Sequence, residues 1–339
     1  MMKNKTVWQV GKMGLKQSRN EIIREAVGRL NQFPTRSIAR YILDTNGGLW
    51  DNSLEKIRHA VRYIRGENGE LSRGENPNII PAKKDLRLPQ TWRTKQTPHK
   101  LVAGKWLVLS DIHIPFHEII PLQAALEYGA TEKCTGIFIN GDLQDCHAVS
   151  FWPSTRRKDF MAEVFIVIDV LDYIRSKFPK AEIVYKPGNH EYRLPRYYAS
   201  HCPELIGSPL AAMESLIDFE GRRIEFLDYH QVVMAGKLPV FHGHEFRSIS
   251  TAVNPARGLF LKAKSWAACS HFHNTSEHTG KNWKGEYLTC WSFGCLSDLN
   301  PDYNPFGNDW NWGIAVITVG EKGDFEVQNH RILPSGKVV

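Results

Sequence analysis

The chain of 339 residues contains no uninterrupted apolar window of about 18 residues, the length a helix needs to cross a bilayer. Its opening residues, Met1-Met2-Lys3-Asn4-Lys5, lead into no apolar run of the signal-peptide kind. The expectation is a soluble, unexported, cytoplasmic chain with no membrane partner. Cysteine is sparse. The six thiols at 134, 146, 202, 269, 290 and 295 form no CxxC pair and lack the density of a small secreted scaffold, so reduced and mostly buried thiols are expected. Charged and aromatic residues, at 23% and 11%, are neither scarce nor in excess, which excludes a disordered, collagen-like or coiled-coil chain. What is present is 42% apolar content, enough over this length for one catalytic domain with an appendage or for two modest domains.

The net charge of +7 is unevenly placed. Residues 1–100 hold 20 Lys/Arg against 9 Asp/Glu, whereas residues 101–339 hold 23 against 27. A basic front beside a near-neutral remainder points to a phosphate-bearing or otherwise acidic partner, or to a solvated basic face. Histidine is skewed the other way, with twelve of fourteen after residue 110.

Apolar spacing predicts three short helices in the front. The first covers about 19–32, with Ile22, Ile23, Ala26, Val27 and Leu30. The second opens at Pro34-Thr35 and stops at Asn46-Gly47-Gly48. The third runs from a cap at Asp51-Asn52-Ser53 to Gly66, with Leu54, Ile57, Val61 and Ile64 on one face. Lys56, Arg58, Arg62 and Arg65 occupy much of its remaining surface. A small all-helical module over 1–66 with a basic third helix has the outline of a helix-turn-helix, and those four cations are its candidate nucleic-acid contacts. A bundle used for packing or self-association gives the same pattern. Residues 67–104, rich in Pro, Asn, Lys and Arg, read as a linker.

From residue 105 short apolar runs alternate with helical ones. Strands are expected at 106–109, 136–139 and 182–185, with helices at 121–128 and 162–177 between them, a βαβαβ run that implies parallel strands. After about 222 the chain becomes strand-rich (223–227, 231–235, 238–241, 265–269, 286–293, 313–319 and 324–330), so a mixed two-sheet domain is expected.

Each early strand ends in a polar cluster: Ser110-Asp111-Ile112-His113, then Asn140-Gly141-Asp142-Leu143-Gln144-Asp145, then Pro187-Gly188-Asn189-His190-Glu191. Ligands of open α/β sheets bind at the carboxyl ends of strands, so three loops deliver Asp, His and Asn to one rim. A strand-like continuation through Asp111-x-His113 puts both side chains on one face. The later strands end in His242-Gly243-His244 and His271-Phe272-His273, two pairs that can complete a metal site. Carboxylates, a carboxamide and imidazoles without thiolate suit Mn²⁺, Fe or Zn²⁺. Asp111, His113, Asp142, Asn189, His242, His271 and His273 are too many for one tetrahedral ion. They suit two divalent ions roughly 3.5–4 Å apart, with Asp142 as the candidate bridge.

This ordered set resembles the calcineurin-like metallophosphoesterase superfamily, over residues 105–330. The resemblance implies a four-layer α/β/β/α metallophosphoesterase sandwich behind the helical module, occupying 105–339. It assigns one ion to Asp111, His113, Asp142 and His273, and the other to Asp142, Asn189, His242 and His271. The implied activity is phosphoester hydrolysis by a metal-bridging hydroxide, with His190 as acid and Asp145 as its orienting carboxylate. His244, His147 and Arg193 are candidates for substrate contact. Cys146-His147 stands where the superfamily's phosphoprotein phosphatases carry Arg-Gly, which argues against that substrate. Ser270 replaces a usual Gly. The aromatic stretch from Asp298 to Trp312 either stacks nucleobases or is a loop pinned by its own rings. The basic triplet Arg156-Arg157-Lys158, behind Phe151-Trp152, is expected near the mouth of the site. The leading expectation is a phosphodiesterase or nuclease acting on DNA or RNA. The alternatives are a phosphomonoesterase on nucleotides or phosphoproteins, and a nucleic-acid-binding protein with a structural metal site.

Overall fold

The computed structural model describes residues 18–46, 53–65, 91, 96–152, 159–246 and 253–339. The chain divides into two compact units, Met1–Thr94 and Lys95–Val339.

In the first unit, α1 (Arg19–Arg29), α2 (Thr35–Thr45) and α3 (Leu54–Arg65) enclose a core of Ile23, Val27, Ile38, Ala39, Ile42, Ile57 and Val61, all fully buried. The apolar residues recur at helical spacing, so each helix turns one stripe inward. A capping box starts α1: Ser18 N–H donates to Glu21 Oε2 at 2.7 Å, and Glu21 N–H donates to the Ser18 hydroxyl at 3.4 Å. α1 ends at Arg29, short of the expected residue 32, where Leu30 N–H closes on Ala26 O before the turn into Pro34. Gly47, Gly48, Asp51, Asn52 and Gly66, expected to punctuate these helices, lie outside the described residues.

The second unit is built on two six-stranded sheets. The first has the order β12-β11-β2-β3-β4-β5, from β2 (Gly104–Leu109), β3 (Gly136–Asn140), β4 (Glu182–Lys186), β5 (Ile224–Phe226), β11 (Gly313–Val319) and β12 (Phe325–Arg331). β2 to β5 are parallel, as the βαβαβ pattern predicts, and β11 joins antiparallel to β2. The second sheet has the order β1-β6-β7-β8-β10-β9, from β1 (His99–Leu101), β6 (Val233–Ala235), β7 (Leu238–Phe241), β8 (Ala267–Cys269), β9 (Ser276–Lys281) and β10 (Tyr287–Ser292).

Strand alternation divides the apolar residues between two cores. Trp106, Val108, Phe138 and Val184 meet Val233, Val240 and Ala268 of the other sheet and Phe293 just past β10. Leu107, Leu109, Ile137, Ile139 and Ile183 face the opposite way. There they pack on α4 (Ile119–Thr131), α5 (Phe160–Lys177) and α7 (Met213–Ile217) through Leu126, Val167, Leu171 and Met213. On the far side α8 (Pro255–Ala263) lays Ala256 and Leu259 against Ala267, Cys269 and Cys290. The layers are therefore α/β/β/α.

Three departures from the sequence reading have physical causes. β1 falls inside the segment read as linker. Only Leu101 of its three residues is buried, and backbone pairing to β6 holds it, so it carries no apolar pattern. β9 (sequence SEHTGK) was not expected, because a polar edge strand is held by its ladder to β10 rather than by burial. α6 (Arg193–His201) buries one residue, Leu194, and offers no stripe to detect. No helix among the described residues is long and apolar enough to cross a membrane.

Candidate metal centre

Five strand-end loops converge on one spot. β2 delivers Asp111 and His113, β3 delivers Asp142 and Asp145, β4 delivers Asn189 and His190, β7 delivers His242, and β8 delivers His271 and His273. The backbone route is not the strand-like continuation expected of Asp111-x-His113. Asp111, His113, Asp142, His271 and His273 have φ of 51°, 52°, 52°, 70° and 56°. This left-handed region costs a non-glycine residue on the order of 1–2 kcal/mol, and such strain persists where surrounding bonds dictate it. Here they do. Asp111 N–H donates to Gly141 O at 3.1 Å, His113 N–H to Asp142 O at 2.9 Å, and His271 N–H to Asp111 Oδ2 at 3.0 Å. Gly188 is required for a different reason: a Cβ there would collide with the Asp142 carboxylate and the His242 ring.

The side chains form three groups whose ligand atoms lie within 4.8 Å of one another: Asp111, His113 and His273; Asp142, His242 and His271; and His113, Asp145 and His190. Asp142 Oδ2 lies 3.1 Å from His242 Nε2 and 3.8 Å from His113 Nε2, between the first two groups. Asn189 Oδ1 is 3.2 Å from His242 Nε2. The seven residues read as ligands are thus brought together.

The donor set fits divalent ions. Asp111 Oδ1 is buried without a hydrogen-bond partner, yet faces His273, His113 and His242 Nε2 at 3.3, 3.9 and 4.0 Å. Bonds of about 2.0–2.2 Å to an ion place neighbouring ligand atoms roughly 3.0–3.5 Å apart, close to several of these separations. Without an ion, protons do the neutralising. Burial opposes the charge on His242, but Asp142 and Asp111 outweigh it and lift the imidazole to about 9. His273 is lifted to about 10 against its burial, by Cys295 and then Asp111. Burial and the neighbouring His242 push His271 down to about 3. Burial raises the Asp142 carboxyl, but His242 and His190 hold it well below its usual range.

Beneath the ligands lies a layer the sequence reading did not single out. Glu191, fully buried, accepts from Asp142 N–H at 3.1 Å, Gln144 N–H at 3.0 Å, Gly188 N–H at 2.7 Å and the Tyr185 hydroxyl at 2.6 Å. One carboxylate therefore ties the second ligand loop to the third. Glu245 does the same for the fourth, accepting from Gly243 N–H at 2.6 Å and His242 N–H at 3.3 Å while paired with buried Lys186 at 2.7 Å. Trp310 packs its ring 4.2 Å from that of His273.

Asp145 is a hub rather than the partner of one imidazole. Its Oδ2 lies 3.1 Å from both His113 Nδ1 and His190 Nδ1. Arg193, read as a substrate contact, donates to Asp145 Oδ1 at 3.1 Å and lies 3.0 Å from His190 Nε2. A guanidinium only donates, so Nε2 is the acceptor and Nδ1 carries the proton. Donation of a proton from Nε2 then requires Arg193 to move. Burial lowers the His190 imidazole, but Asp142 and Asp145 raise it above its ordinary value.

The other candidates are spread more widely. His147 lines the cavity beside the cluster, with its ring 5.4 Å from that of Phe116. His244 sits 5.4 Å ring to ring from His242, and burial pushes it down to about 4. The aromatic loop divides. Trp312 is pinned by a 2.8 Å bond from Nε1 to Ser297 O, whereas Tyr303 and Phe306 stay exposed. In the helical unit Lys56 and Arg62 are exposed, and Arg58 pairs with Glu55 at 3.1 Å. The Arg65 guanidinium bonds Asn31 O and Phe33 O, both at 2.8 Å, and so clamps the α1–α2 turn. Arg156, Arg157 and Lys158 lie outside the described residues. The six cysteines are unpaired, and all but Cys202 are buried.

No protein-family model matches the chain. Over 233 residues it is 24% identical to the Gene 54 protein of Mycobacterium phage L5, which covers 64% of this chain and 90% of the phage protein. Similar solved structures include Vps29 from Chaetomium thermophilum, at 15% identity and TM-score 0.36 over 70% of this chain and 95% of that one. YfcE, a phosphoesterase from E. coli, aligns at 13% identity and TM-score 0.30 over 66% and 98%. A dimetal phosphatase from Danio rerio aligns at 12% identity and TM-score 0.33 over 68% and 96%.

Proposed function

We propose that the chain is a two-metal phosphoester hydrolase of the calcineurin-like kind, its second unit carrying the chemistry. The observation that carries this reading is the buried cluster itself. Five loops, several strained, aim carboxylates, imidazoles and an amide at one point, where a structural core has no use for them. Asp111, His113, Asp142 and His273 would hold one ion, and Asp142, Asn189, His242 and His271 the other. When bound, the ions supply Lewis-acid stabilisation of phosphoryl oxygens and a water acidic enough to attack near neutral pH. Asp145 fixes His113 and His190 by their Nδ1 atoms, leaving Nε2 of each turned toward the cluster. His190 serves as the acid for the leaving oxygen once Arg193 has swung from Nε2 to the phosphoryl group.

The finer reading is phosphodiester hydrolysis on nucleic acid, with the helical unit as the docking element. It is supported by the charge of the first 100 residues and by exposed Arg36, Arg40, Lys56 and Arg62 on α2 and α3. Bis(p-nitrophenyl) phosphate and p-nitrophenyl phosphate, assayed with chelator-stripped protein and added Mn²⁺, test the chemistry. Diester preference, abolished by Asp142→Asn, is expected. Monoester preference points to the phosphatase alternative, and absence of both activities in the metal-loaded protein contradicts the hydrolase reading. Binding of the full-length protein to DNA and RNA should weaken steeply with salt, and Lys56→Ala or Arg62→Ala should each lower that slope by about one. Salt-independent or absent binding removes the docking role.

A further inference from the structure

Beside the cluster, on the side of His113 and His190, opens a cavity of about 660 Å³, inside the range of roughly 300–1,000 Å³ typical of small-molecule sites. Trp152 and Tyr303 stand in its wall with 71% and 75% of their surface exposed, and Phe116 lines it as well. Large rings left facing water in a concave wall next to a candidate reaction centre call for a flat apolar occupant. The charges narrow the choice. Among the described residues of the lining, Asp298 offers a carboxylate, while Arg193 is already bonded to Asp145 and His190. Asp298 is fixed in place, its N–H donating to Phe116 O at 2.9 Å and its Oδ1 accepting from Asn300 N–H at 2.8 Å. That carboxylate can accept from an aromatic group whose edge donates N–H.

Resting on the hydrolase reading, we infer that this cavity holds an amino-bearing nucleobase (adenine, cytosine or guanine) of a nucleotide ester whose phosphate lies at the Asp/His cluster. The base stacks on Tyr303 and Trp152, and its exocyclic amine donates to Asp298. Stacking explains the exposed rings, and carboxylate acceptors select amine-bearing bases over thymine.

The test uses three diesters with one leaving group: the p-nitrophenyl 5′-phosphodiesters of cytidine and thymidine, and methyl p-nitrophenyl phosphate. The cytidine ester should exceed the methyl ester by roughly 10–100-fold in kcat/KM, and should also exceed the thymidine ester. Tyr303→Ala should collapse the cytidine-to-methyl ratio, and Asp298→Asn the cytidine-to-thymidine ratio. A second readout, independent of turnover, is quenching of tryptophan fluorescence by cytidine 5′-monophosphate, expected to weaken in Tyr303→Ala. Hydrolysis of all three esters at similar rates, with ratios unmoved by either variant, overturns the inference and leaves the hydrolase reading standing. Nucleotide binding that needs Tyr303, without hydrolysis of any ester, supports the base pocket and overturns the hydrolase reading. Neither binding nor hydrolysis overturns both.

Discussion

Replacing Glu191 by Gln tests whether the metal centre is held from beneath. The two carboxylate oxygens divide four donors: Oε2 takes Asp142 N–H and Gly188 N–H, and Oε1 takes Gln144 N–H and the Tyr185 hydroxyl. Glutamine keeps one acceptor oxygen and turns an NH₂ toward the other pair. The least costly placement puts the NH₂ at the Oε1 position, where the Tyr185 hydroxyl can rotate to accept but Gln144 N–H is orphaned. One buried unpaired donor costs about 1–3 kcal/mol. Over a unit of this size that is roughly 2–4 °C of melting temperature per kcal/mol. Glu191→Ala orphans all four donors. Its loss should reach about 3–5 kcal/mol, because relief of the buried charge offsets only part of it. Both variants loosen the Gly141-Asp142 and Gly188-Asn189 loops, so divalent-ion affinity should fall about 10–100-fold. Calorimetric melting and metal titration read the two effects. A Glu191→Gln protein that melts with the parent and binds metal equally would show that the four bonds do not position the loops.

Four further outcomes follow from the same geometry. In the metal-free protein His242 and His273, at about 9 and about 10, are protonated at pH 7 and must lose those protons to ligate. Metal binding measured by calorimetry in buffers of different ionisation enthalpy should therefore release about two protons, and release near zero would contradict the assignment. Because both groups are raised above the ordinary 6.5, their contribution to metal-free stability is complete below about 6.5 and lost as pH rises toward 9–10. Melting of chelator-treated protein across that window should show the decline. Gly188→Ala, whose methyl meets the Asp142 carboxylate and the His242 ring, should abolish tight metal binding while the sheets stay folded. Circular dichroism with metal analysis checks it, and normal metal content would sink it. Asp145→Asn removes the charge and leaves one acceptor oxygen for His113, His190 and Arg193, so kcat, read by steady-state kinetics, should fall about 10–100-fold with a smaller change in KM.

The layered fold was legible because apolar alternation along β2, β3 and β4 and the stripes of α1 to α3 encode it directly. β1, β9 and α6 were not: β1 and β9 are held by backbone pairing to β6 and β10, and α6 buries only Leu194, so none carries an apolar pattern of its own. For the ligands, strand ends and order were enough to collect Asp111, His113, Asp142, Asn189, His242, His271 and His273. How they converge was not legible. The pleat predicted for Asp111-x-His113 is replaced by left-handed residues, which only tertiary hydrogen bonds such as His271 N–H to Asp111 explain. Glu191 and Glu245 escaped notice because a carboxylate that caps backbone looks, in sequence, like any solvated acid. Arg65 shows the converse. A cation on a basic helix face reads as a partner contact, and only the fold reveals the carbonyls of Asn31 and Phe33 around it.

The central claim is that one buried cluster holds two ions and hydrolyses phosphoesters through them. Its most direct test is to titrate Mn²⁺ into chelator-stripped protein while recording bound metal and bis(p-nitrophenyl) phosphate hydrolysis together. Two ions per chain are expected, with activity that appears as the second site fills and loss of both in Asp142→Asn. Binding of two ions without turnover of this diester or of p-nitrophenyl phosphate, or turnover that survives Asp142→Asn, would contradict it.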